Sequence, residues 1–259
     1  MVPRNYNEKF YDRLRKNEWK NIASFGPSAQ TRYRIFLKLI KKYNFKFPLL
    51  DCGCGTGELV GKISKKYQNY QKIFGFDFSE EAIRICRKKF PHLKFFKMNI
   101  LNPNLEYKNY FNTIICSEVL EHIKNLPKAI KNLNLLLKNN GFLFISVPYQ
   151  MKYWTRHDDF SGHIKRFERE ELEKLLQKEN FKILEKFSWG WLIYNVYYWF
   201  LQRINPKKAM KTRGKNLFNL KIKRILSYLF YLAFKTEYII RDKDCKRGRR
   251  LFIVCQKIR

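Results

Sequence analysis

Three sets of side chains have the types and spacing to do chemistry. The first is Leu49-Leu50-Asp51-Cys52-Gly53-Cys54-Gly55-Thr56-Gly57, whose glycines let the backbone turn tightly and approach a ligand without a Cβ in the way. Their spacing is GxGxG, not GxGxxG. Glu58 stands where a dinucleotide fingerprint wants its third small residue. Its carboxylate would lie close to a pyrophosphate, which disfavours a nicotinamide or flavin dinucleotide. No GK[ST] follows the loop, which argues against a nucleoside triphosphate. The second is Asp77, 20 residues after Gly57, where an acid can accept hydrogen bonds from both hydroxyls of a ribose. Together they imply a ribose without a pyrophosphate. The third is Glu118, Glu121 and His122, at i, i+3 and i+4, which share one side if the chain makes a helical turn after Ser117. His157 and His163 are the other imidazoles in a motif-like setting, whereas His92, next to Pro91 in a polar turn, reads as a surface residue.

Short apolar runs alternating with amphipathic stretches must position these groups. The pattern predicts strands at Phe47 to Cys52, Lys72 to Phe76, Leu93 to Met98 and Phe111 to Cys116, with helices at Leu59 to Tyr67 and Glu80 to Phe90. It continues with a helix near Leu126 to Lys138, a strand at Gly141 to Pro148, a helix at Glu168 to Glu179, and strands at Phe181 to Phe187 and Leu251 to Cys255. That alternation predicts an α/β fold with a doubly wound, Rossmann-like parallel sheet. Ser79 is placed to cap the second helix, with Glu80 and Glu81 in its first turn.

Leu49 to Gly57 with Phe74 to Asp77 resembles motifs I and II of the class I S-adenosylmethionine-dependent methyltransferases. The similarity extends through Met98-Asn99-Ile100 and through Phe111 to His122, which is similar to the family's FDxVxxxxVLEH, and Leu135 to Pro148 resembles its LKPGGxLxxSVP. It covers roughly residues 45 to 188, and within the group it looks most like the quinone-biosynthesis and sugar O-methyltransferases. Asn99 and Asn112 depart from the family's Asp at their positions. The carbonyl of Asn99 can still accept a hydrogen bond from an adenine amino group, and Asn112 is given no role. The resemblance implies a seven-stranded sheet, S-adenosyl-L-methionine as cofactor, and cofactor contacts at Asp51, Gly53, Cys54, Gly55, Gly57, Asp77, Phe78, Asn99, Ile100 and Ser117.

Methyl transfer from a sulfonium is an in-line displacement that needs alignment, desolvation and, for hydroxyl acceptors, a base. His122 and His163 are the candidates. The resemblance puts His163, in Gly162-His163-Ile164-Lys165-Arg166-Phe167, in the lid over the acceptor. Glu118, Glu121, His122 and His163 together also look like the divalent-metal site of small-RNA 2′-O-methyltransferases and some ubiquinone-biosynthesis O-methyltransferases. The same VLEH occurs without a metal, so none of the four is assigned as a ligand, and His122 is expected to be a pocket wall or proton acceptor.

The 259 residues carry 54 Lys+Arg against 22 Asp+Glu, a net +32. With 45% hydrophobic residues, that balance excludes a disordered tail and a disulfide-stapled mini-protein. A composition rich in Lys, Ile, Asn and Tyr is also what an A/T-biased genome yields, so lysine alone identifies no partner. Six cysteines without CxxC spacing read as reduced core thiols. The N-terminus lacks an apolar signal-peptide core, and the expected location is the cytoplasm.

Residues 1–46 read as leading helices, 47–189 with 249–259 as the cofactor-binding domain, and 190–248 as a helical, aromatic-rich insertion before the last strand. Residues 190–259 hold 18 Lys+Arg against three acids. The apolar run Trp191 to Leu201 would be about 16 Å long as a helix, too short for a hydrocarbon core of about 30 Å. Tryptophan and tyrosine beside Lys207, Lys208, Lys211, Arg213, Lys215, Lys221, Lys223 and Arg224 fit an anionic membrane surface on its inner face. The same features fit a helical subdomain packed on the sheet or, less well, stacked RNA bases. The expected acceptor is a small or lipid-linked amphipathic molecule methylated on oxygen. An RNA methyltransferase and a non-catalytic binding module are the alternatives.

Overall fold

The computed structural model of the chain describes residues 8, 11–12, 26–168, 170–196, 228–239 and 241–258. Strands β1 (Leu49–Cys52), β2 (Ile73–Asp77), β3 (Lys94–Lys97), β4 (Phe111–Ser117), β5 (Leu137–Pro148), β6 (Phe181–Trp189) and β7 (Arg250–Lys257) form one sheet in the order β3-β2-β1-β4-β5-β7-β6. The first five run parallel, and β7 is antiparallel to both β5 and β6. The order reverses between β1 and β4. In a doubly wound sheet, ligands bind at the carboxyl ends of the strands flanking such a reversal.

Helices α1 (Pro27–Lys42), α2 (Glu58–Tyr67) and α3 (Glu80–Lys89) cover one face of the sheet, and α4 (Leu126–Leu136) and α6 (Glu171–Lys178) cover the other. In α1, Ile35, Phe36, Leu39 and Ile40 lie at helical spacing and are buried. Each such side chain contributes about 1.5–3 kcal/mol on leaving water. Ser79 caps α3 by accepting from the Ala82 amide at 3.1 Å, with Glu80 and Glu81 in the first turn, as its sequence indicates. The short helix α5 (Arg156–Ser161) opens with a Thr155–Asp158 capping box.

Two boundaries differ from the sequence reading. The predicted helix to Lys138 ends at Leu136, and β5 begins at Leu137, which pairs with Phe111. The next pair in register is Thr113 with Phe142, so residues 138–141 bulge out. A Cβ at Gly141 would meet the Lys138 carbonyl at 2.8 Å, and this closeness makes so sharp a bulge a glycine position. Helix α6 starts at Glu171, not Glu168, because Glu170 is left-handed at φ 69° and cannot extend the helix backwards.

Trp189 pairs with Arg250, which pairs with Pro148. Residues 190–248 therefore leave and rejoin the sheet at the carboxyl ends of its parallel strands. Their described parts, helical at 193–196 and 228–237, pack on the sheet. Trp189, Tyr194 and Phe234 are buried together, with ring centroids 4.9–5.4 Å apart. Tyr194 also shares a 2.7 Å hydrogen bond with Ser28 of α1. Tyr194 lies in the run expected at a membrane interface, and its partner is the protein's own core. The cations Lys207 to Arg224 lie outside the described residues, and among those described no helix is long and apolar enough to cross a membrane. All six cysteines are buried, and none forms a disulfide.

Candidate active site

The loop from β1 to α2 carries Gly53, Gly55 and Gly57 at φ +72°, +55° and +77°. A Cβ at Gly53 would lie 2.4 Å from Cγ2 of Val119. This glycine therefore lets the turn after β4 press against the loop. Asp77, at the end of β2, is buried and ties the loop in place: Oδ2 accepts from the Gly55 amide at 2.8 Å and Oδ1 from the Ser79 amide at 3.0 Å. An ionised carboxylate offers acceptors only, the chemistry that a ribose hydroxyl needs at this position. Burial, then the Asp77 charge, pushes Asp51 up to about 8, against the pull of Arg32.

Beside Asp77, an open groove of about 480 Å³ is lined by Phe78, Lys97, Met98, Asn99, Asn102, Pro103 and Asn104. Phe78 and Asn99 therefore border one groove, which begins at the residue after Asp77, and Phe78 presents an exposed ring. The Asn99 carbonyl already accepts from the Leu101 amide at 2.9 Å, leaving one lone pair for a ligand. Ile100 is buried in the core, and the Cys54 thiol turns inward to within about 3.0 Å of the Gly75 Cβ position. Their side chains do not face the cleft. The hydroxyl of Ser117 is held between Arg32 Nε at 3.0 Å and Ser146 Oγ at 3.1 Å. Asn112, without an assigned role, donates to the Phe47 carbonyl. A loop of three positive-φ glycines, an acid at the β2 end and this groove together fit the adenosine part of S-adenosylmethionine.

After Ser117 the chain makes the anticipated turn, with Glu118 at φ 57° and a 3-10 turn over Leu120–His122. Glu118 nevertheless is not one of the convergent ligand-capable groups and is engaged by two arginines. Its Oε2 lies 2.9 Å from Arg250 Nε and 4.0 Å from Arg32 Nη1. Burial opposes its charge, but Arg250, Arg32 and His163 outweigh burial and hold it below the ordinary carboxylate range. Glu121, His122 and His163 do converge, with ligand-capable atoms within 4.8 Å of one another. Glu121 is fully buried, with Oε1 3.8 Å from His163 Nε2 and 4.0 Å from His122 Nε2. Burial, reinforced by Glu118, pushes its carboxyl well above the usual range.

Both imidazoles are braced from behind. His122 Nδ1 lies 3.0 Å from the Gly162 carbonyl and 3.2 Å from the Tyr11 hydroxyl. His163 Nδ1 lies 2.7 Å from Asp158 Oδ1. His163 is buried and held at Nδ1, with Nε2 3.8 Å from Glu121 Oε1, whereas His122 is the more open of the two. Burial and the neighbouring His163 and Arg250 push His157 down to about 4, leaving it neutral. His92 is exposed, as expected. Sequence reasoning missed Arg32, Arg250, Tyr11 and Asp158. Only Asp158 carried a local signal, the Thr155-x-x-Asp158 capping pattern; the others reach the site across the fold.

The sheet order, glycine loop and acid at the end of β2 define a class I S-adenosylmethionine-dependent methyltransferase fold. The family model described as a methyltransferase domain matches residues 8–186, and the chain belongs to that family. Among curated proteins it is similar to the ubiquinone biosynthesis O-methyltransferase of Rickettsia typhi, 28% identical over 150 residues, 56% of this chain and 61% of the relative. A 2-phytyl-1,4-naphtoquinone methyltransferase of Trichormus variabilis is 23% identical, covering 51% of this chain and 56% of the relative. The chain thus spans about 60% of these relatives' length. Two solved structures share the fold. The phosphoethanolamine N-methyltransferase 2 of Haemonchus contortus in complex with S-adenosyl-L-methionine has a TM-score of 0.61 at 14% identity, covering 96% of this chain and 60% of the other. An S-adenosylmethionine-dependent methyltransferase of Thermotoga maritima has a TM-score of 0.60 at 14% identity, covering 96% of this chain and 98% of the other.

Proposed function

We propose that this protein transfers the methyl group of S-adenosylmethionine to a hydroxyl oxygen of an amphipathic acceptor. The observation that carries the reading is the cluster of Glu121 and His122, on a turn whose Val119 rests against Gly53 of the cofactor loop, with His163, which follows α5. Bound S-adenosylmethionine supplies an electrophilic sulfonium methyl. Asp77 and the glycine loop hold the ribose and fix where that methyl lies. An acceptor hydroxyl loses its proton as oxygen attacks, and an imidazole Nε2 of His122 or His163 takes it up.

An amphipathic acceptor is supported by exposed apolar side chains in the part of the chain that leaves the sheet at this end: Leu192, Val196, Tyr228, Leu229 and Ile239. The two named quinone methyltransferases among the relatives point the same way. Residues 197–227 supply the cations for an anionic membrane surface in this reading. The deciding assay is S-adenosylhomocysteine release with a polyprenylated phenol and with a short-chain analogue, beside flotation on anionic liposomes and gel shifts with tRNA. Preference for the polyprenylated phenol with flotation upholds the proposal. Salt-sensitive RNA binding without flotation replaces it with an RNA methyltransferase, and cofactor binding without turnover on any acceptor replaces it with a binding module.

A second reading is favoured by one observation: neither oxygen of the buried Glu121 has a side-chain hydrogen-bond partner among the described residues. Two imidazoles with engaged Nδ1 atoms face it, the arrangement that outer contacts impose on metal-ligating histidines. Glu121, His122 and His163 would hold a divalent cation, whose chemistry would be to acidify an acceptor hydroxyl. Stoichiometric metal in the purified protein, with loss of activity on chelation and rescue by a divalent ion, supports this reading. Full activity after chelation excludes it.

A further inference from the structure

Behind His163 stands a second layer of charge. Asp158 is fully buried, and each of its oxygens has a separate set of donors. Oδ2 accepts from the Thr155 amide at 2.8 Å, the Thr155 hydroxyl at 2.9 Å and Arg166 Nη2 at 2.9 Å. Oδ1 accepts from Arg166 Nε at 3.0 Å and faces His163 Nδ1 at 2.7 Å. Arg166 is itself buried, and its Nη1 reaches the carbonyls of Tyr149 and Arg249 at the carboxyl end of β5 and the start of β7. The carboxylate is thus fixed in position and orientation by the sheet on one side and by the α5 cap on the other.

We propose that Asp158, oriented by Arg166 and Thr155, is a positioning residue that sets the tautomer of His163. A carboxylate in this setting offers lone pairs only, so the nitrogen 2.7 Å away carries the proton. His163 is then an Nδ1–H imidazole whose Nε2 is directed at Glu121, 3.8 Å away. This is the nitrogen the site needs unprotonated, as proton acceptor or as ligand, and the inference rests on the reading of His163 as part of the acceptor site. Ring orientation and tautomer are what a second residue behind a functional histidine ordinarily controls.

The donor pattern makes the substitution Asp158→Asn informative. Three donors converge on the Oδ2 position, so the amide oxygen of the variant is retained there. Its NH2 then occupies the Oδ1 position, where it faces the Arg166 Nε–H as a donor against a donor and points at His163 Nδ1. A donor facing that nitrogen favours the opposite tautomer, with the proton on Nε2.

Long-range proton–nitrogen NMR correlations of the imidazoles test this, with the His163 signals assigned by their loss in His163→Gln. The expected result is an Nδ1–H tautomer for wild type and an Nε2–H tautomer for Asp158→Asn. Methyl transfer should fall about 10- to 100-fold while the dissociation constant for S-adenosylhomocysteine stays within about threefold. An Nε2–H tautomer in wild type, or an unchanged tautomer in a folded variant, overturns the proposal. The wild-type spectrum decides it if the variant does not fold. The tautomer is read without an acceptor, so failure of the methyl-transfer reading shows separately, as the absence of turnover in wild type.

Discussion

Glu121 Oε1 and His163 Nε2 lie 3.8 Å apart, both side chains buried, beneath the turn that contacts the cofactor loop. A carboxyl group pushed toward its neutral form faces an imidazole braced at its far nitrogen, with His122 beside both. Replacing either histidine with alanine should separate binding from chemistry. His163→Ala is expected to lower turnover by about 10²–10⁴-fold, the usual contribution of a general base, with S-adenosylhomocysteine affinity retained. His122→Ala is expected to act in the same direction, and unchanged turnover in either variant reduces that imidazole to a structural brace.

Asp51 gives a pH prediction with a definite sign. Its folded value is about 8, against 3.8 for an unperturbed Asp, so the folded chain keeps a proton that the unfolded chain has released over that interval. Stability from this group is fully present below about pH 4, declines as pH rises toward about 8, and is level above. Asp51→Asn removes that slope. Thermal melts without cofactor should show the variant gaining on wild type as pH increases across the interval, and parallel curves would contradict the assignment.

Gly53→Ala adds a Cβ 2.4 Å from Val119 Cγ2 at a φ of +72°. A destabilisation of about 1–3 kcal/mol is expected from the backbone conformation alone, together with weaker cofactor binding. In a double-mutant cycle with Val119→Ala, urea denaturation should show partial recovery as the clash is relieved. Strict additivity would mean that the two do not touch.

Glu237 is buried in the insertion and accepts from the amides of Leu192 at 2.6 Å and Tyr194 at 3.1 Å. Glu237→Ala strands both donors and should cost about 1–3 kcal/mol by denaturant titration. Glu237→Gln keeps one acceptor oxygen and should cost less. Equal stability of all three forms would show that these residues do not pack as described.

What the sequence disclosed was local chemistry. The glycine spacing, the acid after β2 and the strand–helix alternation are set by residues near one another in the chain, whereas the seven-stranded sheet was implied by the family resemblance and its order came from the fold. The turn at Leu120–His122 was legible for the same reason. Glu118 was read as a companion of Glu121 in one ligand group because Arg32 and Arg250, which engage it instead, lie 86 positions upstream and 132 downstream, and no local pattern links them. Tyr194 read as an interface aromatic because an apolar run looks alike in a core and at a lipid surface; Trp189, Phe234, Ser28 and Glu237 decide the matter only once the chain is folded. The thiol of Cys54 and the side chain of Ile100 sit in cofactor motifs yet face inward, since a motif fixes backbone position and not the direction of every side chain.

Titration calorimetry with S-adenosylhomocysteine tests the central claim most directly. Wild type is expected to bind one equivalent saturably, and Asp77→Ala, which removes both the ribose acceptor and the tie to the Gly55 amide, is expected to lose at least about tenfold in affinity. No binding by wild type, or equal binding by a folded Asp77→Ala, contradicts the account.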